Sequence, residues 1–186
     1  MRLVMTAVLG TALMGCGDEG TDTSSVTTTL PACSGLAAEI GEGEFGYEVR
    51  NPGDGFTMVH GPQGGWHMDI AGVVTGSNGV VRVQSFVTAD STSTQIAGAG
   101  QENDTPLQLA GYDESICSGS FFKGRTFIDD VDLPSAEYQG FICNLHNQPL
   151  TIEVHITDLK SEETAITTLS ATAQIDPNDV PECQAL

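Results

Sequence analysis

Leu150, Ile152, Val154 and Ile156 alternate with Thr151, Glu153, His155 and Thr157. Successive side chains leave a strand on opposite faces, so this period of two predicts a half-buried β-strand. Asp158 to Glu163 is a polar turn. Beyond it Leu169, Ala171, Ala173 and Ile175 alternate with Ser170, Thr172 and Gln174, so the C-terminal part predicts a β-hairpin. Upstream, Trp66, Met68, Ile70 and Val74 share one face of a strand, and Val81, Val83 and Val87 one face of the next. Between them Ser77-Asn78-Gly79 fits a tight type I′ hairpin, whose two central residues need positive φ. Phe121 to Ile128 and Tyr138 to Leu145 read as further strands.

Turn signals recur roughly every ten residues, at Asn51-Pro52-Gly53-Asp54-Gly55, Gly61-Pro62, Asn78-Gly79, Asn103-Asp104, Leu133-Pro134 and Asn147-Gln148-Pro149. No window reads with a helical period. High glycine (22 residues) and few aromatics (6%) fit many turns and thin strands. The expectation is an all-β fold, an immunoglobulin-like antiparallel β-sandwich. The stretch from Tyr138 to Cys143 faintly resembles an immunoglobulin F strand, although the two residues stand five apart rather than two.

The N-terminus carries an address. Arg2 supplies one positive charge, and Leu3 to Met14 is an uncharged apolar run, too short to cross a hydrocarbon layer of about 30 Å. It ends in Leu13-Met14-Gly15-Cys16. This resembles the bacterial lipobox, with Leu13, Gly15 and Cys16 matching and Met14 larger than usual. The resemblance implies a signal peptide over residues 1–15, lipid on Cys16, and a membrane held through that anchor alone. Gly17 after the cysteine, by similarity to Gram-negative sorting rules, favours the outer membrane of the cell envelope. Residues 16–35 are rich in Asp, Glu, Gly, Ser and Thr without apolar periodicity, and predict a flexible acidic tether. Residues 36–186 predict one domain, long enough to bury about 70% of its unfolded surface.

Setting Cys16 aside leaves Cys33, Cys117, Cys143 and Cys183. An even number in an exported chain predicts two disulfides. Three connectivities are open. The favoured one ties the ends of the domain through Cys33–Cys183, with Cys117–Cys143 inside it. There is no Cys-x-x-Cys, so neither a thioredoxin-like redox motif nor a zinc knuckle is indicated.

Cleavage before Cys16 leaves five bases against 25 acids, a net charge of −20. That sign repels nucleic acid and anionic headgroups. It leaves a protein at the cell envelope as the kind of partner to expect.

The most unusual stretch is Phe56-Thr57-Met58-Val59-His60, Gly61-Pro62-Gln63-Gly64-Gly65, Trp66-His67-Met68-Asp69. The glycines and Pro62 predict a tight loop between antiparallel strands. This hairpin resembles one in a group of uncharacterised predicted bacterial lipoproteins that carry Gly-Pro-Gln-Gly-Gly, an aromatic and His. The resemblance implies a fold and an address, not a reaction. Met58, His60, His67 and Met68 are candidate metal ligands, a soft set suited to copper, which His146 could join. Copper binding is therefore the alternative to a binding or scaffolding role. The pleat weighs against it. Pairing Met58 with Met68 puts Phe56, Met58, His60, Trp66, Met68 and Ile70 on one apolar face, and sends His67, Asp69 and Val59 to the other.

Asp129-Asp130-Val131-Asp132 and Asp176-Pro177-Asn178-Asp179 could attract calcium, but neither has EF-hand spacing. Both read as turn carboxylates facing water. There is no Gly-x-Ser-x-Gly elbow, His-Glu-x-x-His, phosphate-binding loop or dinucleotide fingerprint. His155 falls on the polar face of its strand. The expectation is a protein that is not an enzyme and needs no cofactor.

Overall fold

The computed structural model describes residues 33–98 and 105–184. The expected signal peptide, Cys16, the expected tether as far as residue 32 and the expected turn at Asn103-Asp104 lie outside the described residues. In chain order the elements are β1 (Ala37–Glu42), β2 (Glu48–Val49), β3 (Gly55–His60), β4 (Trp66–Thr75), β5 (Val80–Ala89), β6 (Thr94–Ala97), β7 (Leu107–Gln108), β8 (Ala110–Asp113), β9 (Ser118–Phe127), α1 (Ser135–Leu145), β10 (Pro149–Asp158), β11 (Thr164–Ile175) and α2 (Val180–Gln184).

The strands form an open β-sandwich. In one sheet β4 is central, with β9 along one edge and β1 along the other. Strand β2 extends from β1, and β8 from β9. In the other sheet β11, β10 and β5 lie side by side, and β6 and β7 pair with the far edge of β5. Strand β3 joins the two. Its end, Val59 and His60, pairs antiparallel with His67 and Trp66, while Gly55–Met58 runs parallel to Thr172–Ile175. The expected all-β sandwich is present, and among the described residues this parallel pair stands in an otherwise antiparallel architecture.

The C-terminal hairpin forms as its alternation predicts, with Leu150 opposite Ala171 and Ile152 opposite Leu169. The inward residues of β10 and β11 are buried against Phe56, Met58, Trp66, Met68 and Ile70 in a single core. Each large aliphatic side chain so buried contributes roughly 1.5–3 kcal/mol.

Three expectations are corrected. First, Tyr138 to Leu145 is not a strand but the body of α1. Tyr138, Phe141, Ile142 and Leu145 stand at i, i+3, i+4 and i+7, the spacing of one helical face. Ile142 and Leu145 are buried. Pro134 precedes the first turn, and Asn147, at φ +63°, turns the chain away after the last.

Second, Ser77-Asn78-Gly79 does not close a hairpin, because β4 and β5 lie in different sheets. Gly79 takes φ +92°, but Asn78 does not enter the left-handed region that a type I′ turn requires. Asp158 holds this crossing instead. Its fully buried carboxylate accepts from Ser77 Oγ at 2.8 Å, Asn78 N at 2.6 Å and Asn78 Nδ2 at 3.2 Å. It also accepts from the backbone of Lys160 and Ser161 and from Ser161 Oγ.

Third, the disulfides are Cys33–Cys117 and Cys143–Cys183, with Cα separations of 5.6 and 5.5 Å. The favoured pairing of Cys33 with Cys183 and of Cys117 with Cys143 is wrong. Thr75 of β4 pairs with Ala37 on one side and Ser118 on the other, which brings the entry to β1 beside Cys117. Cys143, carried on a helix, meets α2 and Cys183.

Candidate functional site

Strand β4 presents Trp66, Met68 and Ile70 to the core, so the pleat sends His67 and Asp69 to the outer face of the sheet. The hairpin register is the one that burial favours, with Val59 opposite His67 and His60 opposite Trp66. It divides the candidate metal ligands. Met58 and Met68 are fully buried in the core, His60 lies on their side with its ring centroid 5.0 Å from that of Trp66, and His67 lies on the other. His146 accepts a hydrogen bond from Ile175 N through Nδ1 at 3.3 Å. Among the described residues, no three His, Cys, Asp or Glu side chains are grouped to hold a metal ion.

The outer face is not open to solvent at His67 and Asp69. Both are buried. On β9, directly across from them, stand Phe127 and Arg125. The Phe127 ring lies 5.9 Å from that of His67, and Arg125 Nε contacts Asp69 Oδ1 at 3.3 Å. The turn after β1 folds over this pair, with Gly43 N donating to Asp69 O at 2.9 Å, and Arg125 Nη2 reaches Glu44 Oε1 at 3.6 Å. The loop of residues 61–65 closes the other side through Gly61 N to Gly65 O at 2.7 Å, with Gly64 at φ +88°. Such a turn conformation is one that glycine adopts without steric cost.

These elements enclose a cleft of about 460 Å³. Its carboxylates are Glu42, Glu44, Glu48, Asp69 and Asp176, and its guanidiniums are Arg50 and Arg125. Arg50 contacts Glu42 at 2.8 Å and Glu48 at 3.3 Å. Glu42 also accepts from Thr57 N at 2.8 Å, which locks the floor. A neighbouring pocket of about 340 Å³ shares His67, Arg125, Gly61 and Pro62 with it and is also lined by Gln63, Gly65 and Phe127.

His67 is the anomaly of this cleft. It is 3% exposed, and neither ring nitrogen has a hydrogen-bond partner among the described residues. Its Nε2 stands 3.6 Å from Asp69 Oδ2, too far for a hydrogen bond. Burial depresses its pKa, and Arg125 adds to this against the opposing pull of Asp69, so the imidazole is held neutral.

The acidic turns have structural duties. Asp179 Oδ2 accepts from His60 N at 2.7 Å, tying the C-terminal segment to the hairpin, and Asp176 Oδ1 accepts from Asn178 N. Asp130 Oδ2 accepts from Gln95 Nε2 at 3.2 Å. Burial raises the pKa of Asp129, and neighbouring Asp130 adds to it. His155 packs its ring 5.0 Å from that of Phe86 and contacts Glu153 Oε1 at 2.7 Å.

The hairpin pattern located His67 and Asp69 on the outer face but gave no sign that this face is covered. Arg125, Glu42 and Arg50 come from three other segments. Arg125 is the one with a strand-level signal, since it stands opposite Asp69 on the outer face, whereas Glu42 pairs with the inward Ile70 and enters the cleft from the end of β1, and Arg50 follows β2.

No protein-family model matches the chain, and no curated protein matches it. Among solved structures, the CooA pilin subunit from enterotoxigenic Escherichia coli is similar at a TM-score of 0.36 and 14% identity, over 75% of this chain and 99% of that one. A likeness of that size says nothing about what this chain binds.

Proposed function

We propose that the chain is a binding module of the bacterial cell envelope, held to a membrane by lipid on Cys16 and projecting the outer-face cleft on the tether of residues 16–35. The observation that carries this reading is His67, a polar side chain buried at the wall of a cleft with both nitrogens unpaired among the described residues. Leaving such a group unsatisfied costs roughly 1–3 kcal/mol, and an unpaired buried group in a native fold calls for a reason. A ligand that pairs with it is such a reason. The cleft volume of about 460 Å³ suits a small molecule. Two disulfides support an oxidising compartment. No reaction is proposed. The copper reading would require Met58 and Met68 to turn out of the core, whereas the cleft is already formed.

Two measurements test the reading. Mass spectrometry of the mature chain should find acyl mass on Cys16, and Cys16→Ala should release the protein from the membrane fraction. A Cys16→Ala protein that stays membrane-bound overturns the anchor. A screen of small amines, sugars and carboxylates should find compounds that move the His67 ring resonances. A set that moves none of them overturns the cleft.

A further inference from the structure

We propose that the cleft takes a small ligand with a primary ammonium head, seated between His67 and Asp69. This rests on the cleft being a binding site and adds the chemical class of its occupant. The first argument is charge. Five carboxylates line the cleft against two guanidiniums, so an anionic head is repelled and a cationic one attracted. The whole chain, at −19, steers in the same direction. Nor is a guanidinium presented to a carboxylate ligand. Arg50 already contacts Glu42 and Glu48, and Arg125 already contacts Asp69 and Glu44.

The second argument is hydrogen-bond chemistry. A neutral imidazole keeps one nitrogen as an acceptor. Arg125 fixes Asp69 through Oδ1, leaving Oδ2 turned towards His67 Nε2 at 3.6 Å. In the tautomer that carries its proton on Nδ1, Nε2 and Asp69 Oδ2 are two acceptors that cannot bond each other, and both can accept from one N–H-bearing head; a primary ammonium has three such hydrogens. Its bonds to the carboxylate are charge-assisted. An alkyl stem then has Val59 and Pro62 of the cleft wall to lie against. A transition metal is disfavoured, since among the described residues no third His, Cys, Asp or Glu completes a ligand set.

The test compares heads on one stem. The full chain in detergent micelles, labelled at histidine, is titrated with n-butylamine, n-butanol and n-butyrate, and separately with glucose and Zn²⁺. His67 resonances are followed by NMR and heats by calorimetry. Butylamine is expected to move the His67 ring saturably, at least about tenfold more tightly than butanol or butyrate, a difference of about 1.4 kcal/mol. Asp69→Asn should weaken it by about tenfold or more. Because Asp69 is buried and that variant could fail to fold, Glu48→Gln is the second arm. Glu48 is 70% exposed and contacts Arg50. Its neutralisation should weaken butylamine about twofold with melting unchanged, and added salt should weaken binding further. Butanol, glucose, butyrate or Zn²⁺ binding at His67 as well as butylamine does overturns the ammonium class and leaves the cleft as a site. No movement of His67 with any probe overturns both. Butylamine binding that ignores Glu48→Gln and salt also overturns the proposal.

Discussion

Ser77 Oγ donates to Asp158 Oδ2 at 2.8 Å across 81 positions of sequence, and both residues are fully buried. The bond ties the crossing between the two sheets to the turn of the C-terminal hairpin. Burial alone would raise the Asp158 pKa. The backbone N–H groups of Ser161 and Asn78, with the side chains of Ser77 and Asn78, outweigh it and hold the carboxyl well below the usual range. Asp158→Asn replaces an acceptor of six hydrogen bonds with a group that must itself donate. It should cost roughly 2–4 kcal/mol in urea unfolding. The pH dependence follows from the depressed pKa. The carboxylate contributes its stability above the unfolded value of about 3.9, and loses it as pH falls from there through the folded value. In Asp158→Asn that acid arm should flatten.

The two disulfides should differ in weight. Cys33–Cys117 closes a separation of 84 residues and Cys143–Cys183 one of 40. The chain-entropy relation assigns them about 4.6 and 3.9 kcal/mol. Replacing the first pair by serines should therefore destabilise by about 0.7 kcal/mol more than replacing the second. Non-reducing peptide mapping should recover these pairs. A Cys33–Cys183 peptide would contradict the fold, since α1 and α2 would lose their bond.

Much of the architecture was legible because its strands have one wet face. The alternation in β10 and β11 and the hairpin from Phe56 to Asp69 fold in the expected registers. Helix α1 was not read, although its apolar residues carry the helical spacing. Its aromatic and β-branched residues suit a strand as well, and no polar N-cap marks its start. The disulfide pairing failed for the same reason, since Cys143 reaches Cys183 from a helix. The turn at Asn78 misled because local chemistry fits a hairpin, while a buried carboxylate 80 residues away decides the path. As for the site, His67 and Asp69 were placed on their face. The cover from Arg125, Glu44 and the turn at Gly43 is a tertiary fact with no local pattern.

Helix α1 meets the sandwich through polar contacts that include Tyr138 Oη to Ile128 O and a second that can be tested. Trp66 Nε1 donates to Gln139 Oε1 at 3.0 Å, and Trp66 is fully buried. Gln139→Ala leaves a buried indole N–H without its acceptor and should cost roughly 1–3 kcal/mol. Gln139→Glu keeps the acceptor oxygen and should recover part of that loss. Trp66, the chain's single tryptophan, reports the change by fluorescence. Equal unfolding midpoints for Gln139→Ala and wild type would mean that the contact does not hold the helix.

The buried imidazole gives the last prediction, and its sign is opposite to that of a histidine that gains an acidic partner. Burial holds the folded pKa of His67 below the ordinary value of about 6.5. Between those two values the unfolded chain binds a proton that the folded chain does not, so stability falls as pH drops from about 6.5 to the folded value. His67→Gln keeps a polar group in the same place but cannot titrate, so this slope should vanish in urea unfolding measured at stepped pH. The Asp158 arm starts lower, at about 3.9, and should persist in the same variant. A slope unchanged in His67→Gln would belong to another group. Ligand sharpens the test. An ammonium head that donates to the imidazole lone pair favours the neutral ring, so saturating n-butylamine should push the His67 titration to still lower pH. A ligand that instead accepted from His67 would favour the charged ring and move the titration upward, so the direction of the shift identifies which partner the occupant supplies.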